Sequence, residues 1–267
     1  MTPAPLEIEG AALGFDRPLW SGLDLSVKRG EFVAVLGANG SGKSSLLKAV
    51  LGRQSLDSGV IRVGGSSVRG GDRRVGYIPQ QKLVAPGVAL RGRDLVTMGI
   101  DGHSFGLPIP SRSVRRRVDD LIAEVGAEGY ADRPVWHLSG GEQQRLRVAQ
   151  AVADDPILLL ADEPLASLDL HHQRGVSELI DRRRRDHDTA VLFVTHDINP
   201  VLGLVDRVLY LAGGRFTVGT PDEVLRSEVL SGLYGTEVEV VRTGGRVFVA
   251  GVPDGDHSHH HHEEAAG

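Results

Sequence analysis

The chain contains no cysteine, which excludes disulfides and thiolate metal sites and fits a reducing cytoplasm. It also has no apolar stretch near the ~18–20 residues needed to cross a bilayer, so any membrane path has to come from other chains. The opening residues, Met1-Thr-Pro-Ala-Pro-Leu-Glu, offer neither the basic start nor the apolar core of a secretion signal. Positive charge is not in excess: 30 Lys+Arg stand against 35 Asp+Glu, for a net charge of −5. That balance gives no global drive toward nucleic acid. With 267 residues, 40% of them hydrophobic, there is enough chain for a substantial core.

Several segments have recognisable periodicity. Residues 6–9 and 23–27 alternate apolar and polar, as short strands do. Phe32–Leu36 is a compact apolar run feeding a Gly-rich turn, and Lys43–Leu51 has helical composition up to Gly52. Residues 59–79 suggest strand, turn and strand. Helical patterning dominates from about 86 to 155, notably Val114–Val125 and Glu142–Ala153. A strand-then-helix rhythm follows: Ile157–Ala161, a helix near His172–Arg185, Ala190–Thr195, a helix near Pro200–Leu204, and Val208–Leu211. Such alternation predicts an α/β fold, a parallel sheet flanked by helices. Residues 236–252 alternate around Gly244-Gly245 as a β-hairpin. Residues 253–267 are too polar to pack and are expected to be disordered. Arg115–Arg117 and Arg182–Arg185 fall on these helices, where a solvated face is the ordinary use.

Four motifs for phosphate chemistry stand in order. Gly37-Ala-Asn-Gly-Ser-Gly-Lys43-Ser44 has the phosphate-binding spacing, flanked by the required strand and helix. By the general mechanics of that motif, Gly37, Asn39, Gly40, Ser41, Gly42 and Ser45 supply the cradle of backbone and side-chain groups. Lys43 reaches the β- and γ-phosphates, and Ser44 offers its hydroxyl to Mg²⁺. The run Ile157–Ala161 delivers Asp162 and Glu163 to a strand's C-terminal edge, where open α/β sheets bind ligands. Asp162 would hold the metal and Glu163 the attacking water; two acids there could instead cap the next helix. Leu138-Ser-Gly-Gly-Glu-Gln-Gln-Arg145 sets Ser139 as N-cap and frees the amides of Gly140 and Gly141, an anion site. His196 ends the fourth, after Ala190–Thr195.

The ordered set resembles the ATP-binding subunit of ABC transporters, over roughly residues 6–235. The resemblance implies a P-loop NTPase core, residues 1–85 and 156–235, with an inserted helical subdomain at 86–155. It implies ATP and Mg²⁺ as cofactors, His196 as the switch histidine near the γ-phosphate, and Gln80 on Mg²⁺, with Gln81 the alternative. Ser139, Gly141 and Gln143 would complete the site of a second copy, and Ser167-Leu168-Asp169 would couple the two sites. Phe15 is the candidate for stacking on adenine; Trp20 is the rival, better suited to a buried anchor. The expected partners are that second copy, two transmembrane permease subunits and an extracytoplasmic metal-binding protein, with no nucleic acid. The expected place is the cytoplasmic face of the membrane.

For cargo, Pro164-Leu-Ala-Ser-Leu-Asp-Leu and Val194-Thr-His-Asp-Ile-Asn-Pro-Val resemble zinc and manganese importers, although iron-complex and cobalamin importers share much of the pattern. The tail places His257 and His259–His262 beside Asp254, Asp256, Glu263 and Glu264, a donor set suited to divalent transition metals. An expression tag is the alternative.

Overall fold

The computed structural model describes residues 2–80, 90–101 and 111–251. Gln81 and the His-rich tail therefore lie outside the described residues. In chain order the strands begin with β1 (Leu6–Gly14), β2 (Pro18–Val27) and β3 (Phe32–Gly37), followed by helix α1 (Lys43–Val50). Then come β4 (Ser58–Val63), β5 (Ser66–Ser67), β6 (Val75–Ile78), and the helices α2 (Gly92–Asp101), α3 (Arg112–Glu124) and α4 (Gly140–Ala151). The second half contains β7 (Leu158–Asp162), α5 (Leu170–His187), β8 (Ala190–Val194), β9 (Arg207–Ala212) and β10 (Arg215–Gly219). It ends with α6 (Pro221–Val224), α7 (Ser227–Tyr234), β11 (Glu239–Thr243) and β12 (Arg246–Ala250).

A six-stranded sheet, order β10-β9-β3-β8-β7-β6, forms the centre. Its strands run parallel except for β10, which turns back on β9. Parallel strands are covered on both faces, so they read as continuous apolar runs. That is why β7 and β8 bury almost every residue. The two-residue period of β3 sends Phe32, Ala34 and Leu36 into one core and Val33 and Val35 into the other. The first core lies against α2–α5; the second joins α1 to the antiparallel sheet β2-β1-β4-β5.

Ser111, Ser139, Asp169 and Thr220 each accept a hydrogen bond from a backbone N–H three residues on, starting α3, α4, α5 and α6. Two of the expectations need correction. The stretch near Pro200–Leu204 is one 3-10 turn, Leu202–Leu204, since Pro200 and Gly203 disfavour a longer helix. The run Arg182–Arg185 is not simply a solvated face. Arg183 is 2% exposed, 2.6 Å from Asp155, and Arg184 pairs with Asp181 and Asp206. Helical periodicity turns one arginine of the run inward, and acids from neighbouring elements meet it.

Candidate functional site

The phosphate-loop residues leave β3 at Gly37 and enter α1 at Lys43. Gly37 has φ +146°, and a Cβ there would collide with the carbonyl of Leu211. Gly42 has φ +95°, and its Cβ would lie 2.8 Å from the indole Nε1 of Trp20. Both positions therefore require glycine, and the loop is seated on β9 and on a buried tryptophan. Lys43 is only 6% exposed. Its ammonium donates to the carbonyls of Gly37 at 2.7 Å and Ala38 at 3.0 Å. Burial lowers its pKa, opposed by the charges of Glu163 and Asp162.

β7 delivers the two carboxylates to the same edge. Ser44 Oγ donates to Asp162 Oδ1 and the Tyr77 hydroxyl to Asp162 Oδ2, both at 3.4 Å. Burial raises the pKa of Asp162, and the neighbouring Glu163 adds to the rise against those two hydrogen bonds and Lys43. Glu163 itself has φ +45°, an uncommon conformation for a residue with a side chain. Its N–H donates to Val194 O on β8 at 3.0 Å, which anchors the backbone from which the carboxylate projects. Two groups then converge on one atom: Gln80 Nε2 donates to Glu163 Oε2 at 3.2 Å, and His196 Nδ1 lies 3.6 Å from it.

These groups face a cleft of about 810 Å³ lined by Phe15, Leu19, Asn39, Gly40, Gly42, Lys43, Ser44, Ser45, Gln80, Glu163 and His196. Phe15 is 69% exposed at its rim, whereas Trp20 is fully buried; of the two aromatic candidates only Phe15 lines the cleft. Ser41 sits within the loop with its hydroxyl buried and unpaired in the protein. Tyr77 escaped the sequence reading, although the two-residue period of β6 was the available signal for its side.

Ser139, Gly140 and Gly141 do not line this cleft. Ser139 and Glu142 form a capping box, each side chain bonded to the other's backbone N–H, at 3.2 and 2.7 Å. A Cβ on Gly141 would overlap the imidazole of His172, whose Nδ1 is 2.7 Å from Asp169 Oδ2. Gln143, expected alongside Ser139 and Gly141, is buried, and its amide donates to Leu138 O at 3.1 Å. The fourth residue of a helix start faces inward here, so the Gln143 side chain lies inside the protein and not on its surface.

Residues 20–166 match the family described as ABC transporter. The chain belongs to that family. ABC proteins similar to it include the zinc import ATP-binding protein ZnuC of Pseudomonas savastanoi pv. phaseolicola, 33% identical over 269 residues, covering 99% of this chain and 89% of that protein. The sulfate/thiosulfate import ATP-binding protein CysA of Nocardia farcinica is 34% identical over 75% of this chain, which spans only 60% of CysA. Among solved structures, a chain of an inward-facing transporter assigned to the metal-chelate type is 27% identical, with a TM-score of 0.77 over 92% of this chain and 96% of that one. The protein is thus an ABC-type ATPase.

Proposed function

We propose that this ABC ATPase powers the import of a divalent transition metal, zinc or manganese, as two copies acting beneath two membrane permease subunits. An extracytoplasmic metal-binding protein would deliver the cargo, and the chain would sit at the cytoplasmic face of the membrane. Among the described residues no helix is long and apolar enough to cross a membrane. The observation that carries the hydrolytic reading is the convergence of Gln80 and His196 on Glu163 Oε2, beside the pairing of Ser44 with Asp162.

In this reading the amides of residues 39–45 and the Lys43 ammonium hold the β- and γ-phosphates, and Phe15 stacks on adenine. Glu163 accepts the proton of the attacking water, while His196 orients that water and the γ-phosphate. Ser44, Asp162 and Gln80 are oxygen donors of the kind Mg²⁺ takes. No cluster of three or more His, Asp or Glu ligands occurs among the described residues. That suits an ion completed by phosphate and water. When bound, Mg²⁺ would neutralise charge developing on the phosphates. The N-terminus of α4, with Ser139, Gly140 and Gly141, would present its amides to the γ-phosphate held by the second copy.

The zinc relative, matched along nearly the whole chain, supports the metal cargo. The metal-chelate structure favours a second reading, an importer of an iron complex or cobalamin. ATP-driven uptake by the chain reconstituted with its permease distinguishes them. Zn²⁺ or Mn²⁺ accumulation is expected; accumulation of a metal complex with neither free ion taken up would overturn the proposal.

A further inference from the structure

The loop carrying His196 is tied at its far end to the β11–β12 hairpin. Asn199 Nδ2 donates to Val247 O at 2.9 Å, and Asn199 Oδ1 accepts from Val247 N at 2.8 Å. One side-chain amide thus satisfies both polar groups of a residue on the free edge of β12, as a third strand would. Val247 stands opposite Arg242 in the hairpin, so with its N–H and C=O on Asn199 it faces away from β11. The amide works in one orientation only. Its Nδ2 also donates to Asp197 Oδ1 at 2.8 Å, and a flip would set its oxygen against two acceptors.

The rest of the loop is braced between these ends. Asp197 Oδ1 accepts from Asn199 N at 2.9 Å. Thr195 Oγ1 donates to Asp197 O at 2.7 Å and accepts from Asp197 N at 3.2 Å. Residues 195–199 therefore form one hydrogen-bonded unit, with His196 against Glu163 at the cleft and Asn199 against the hairpin. The hairpin is held in turn by other elements: Ser227 Oγ accepts from Val240 N at 2.9 Å, and Val238 and Val247 are buried in the main core.

We infer that Asn199 is a positioning residue for His196, and that the hairpin is the fixed surface against which the catalytic loop is set. The inference rests on the hydrolytic reading of His196 given above. Displacing the hairpin should slow hydrolysis without loosening ATP, because the phosphate loop and Phe15 are held by other elements. The C-terminal hairpin is then an input to the chemical step.

The test uses the full chain with Asn199→Ala, Asn199→Asp, His196→Ala and the His196→Ala/Asn199→Ala double variant. Steady-state ATPase, thermal midpoint and hydrogen exchange at the Val247 amide are read for each. Asn199→Ala should lower kcat about tenfold or more, as small misplacements of a reacting group do, with KM for ATP within about twofold. Val247 exchange should accelerate. Asn199→Asp keeps the acceptor but sets a carboxylate against Val247 O and Asp197, so it should not rescue. In the His196→Ala background the Asn199 change should cost nothing further. A lowered midpoint with unchanged kcat, a parallel loss of ATP binding, or additivity with His196→Ala overturns the inference. If His196→Ala alone retains full turnover, the hydrolytic reading fails and Asn199's role goes with it. If it does not, and Asn199→Ala is silent, only the clamp fails.

Discussion

Asp162 is held in a position that its charge disfavours. Burial and the adjacent Glu163 raise its pKa above 3.8. An acid raised in the folded state contributes stability that is fully present below its unfolded pKa and is lost as pH rises through the folded value. Ionising the carboxylate therefore costs the folded protein stability. Asp162→Asn, which retains an oxygen and an amide for Ser44 and Tyr77, should raise the thermal midpoint at pH 7. The gain should shrink as pH falls toward 3.8. The same variant should lose Mg²⁺-dependent ATP turnover by roughly 10²-fold or more. Calorimetry across pH together with turnover checks both halves; a lowered midpoint at pH 7 would contradict the argument. At this scale the sequence was most legible where a motif fixes spacing, as at Lys43, Asp162 and Glu163. It gave at most the face of Tyr77 and nothing on Asn199, and the partners of both, 85 and 48 residues away, follow from tertiary packing alone.

Among the elements, the start of α4 is the most constrained. Its capping box fixes the backbone at Ser139, and Gly141 lies beneath the ring of His172, itself tied to Asp169 at the start of α5. A methyl at Gly141 leaves that ring no room, so either the ring gives up its bond to Asp169 or the two helix starts separate. Gly141→Ala should cost on the order of 1–3 kcal/mol, as overpacking does, and lower the midpoint by about 2–4 °C for each kcal/mol. His172→Ala removes the obstacle, so the double variant should recover part of the loss; equal midpoints for single and double variants would contradict the contact. The buried parallel strands were readable because a continuous apolar run has few alternatives in a chain of this kind. The segments at 215–219 and 221–234 were not, since short edge elements are set by what they pack on. Likewise, 59–79 read as strand, turn, strand, yet its strands divide between two sheets, with β4 and β5 in one and β6 in the other. No local period encodes that choice.

Taken whole, the chain keeps the start of α4 apart from the cleft, since Ser139–Gly141 do not line the pocket that holds Lys43 and Glu163. If each site is completed by a second copy, turnover per chain should rise with protein concentration. Glu163→Gln should drop turnover by about 10²–10⁴-fold while ATP still binds, and should accumulate an ATP-dependent dimer in sedimentation. A concentration-independent rate with a strictly monomeric Glu163→Gln protein would exclude that arrangement. The overall plan was legible from motif order, because a strand, a glycine loop and a helix recurring with acids at strand ends admit few topologies.

The chain has only two tryptophans, and their positions divide along the same line. Trp20 lies beneath Gly42 of the phosphate loop, and Trp136 lies against His137, the ring centres 3.6 Å apart and the planes tilted by 55°, close before Ser139. One indole is sealed from solvent and the other is partly open to it. The molecule thus carries one native fluorophore beside the phosphate loop and another beside the start of α4, with emission expected to differ in wavelength and quenching, so that changes at the two places are optically separable without a label.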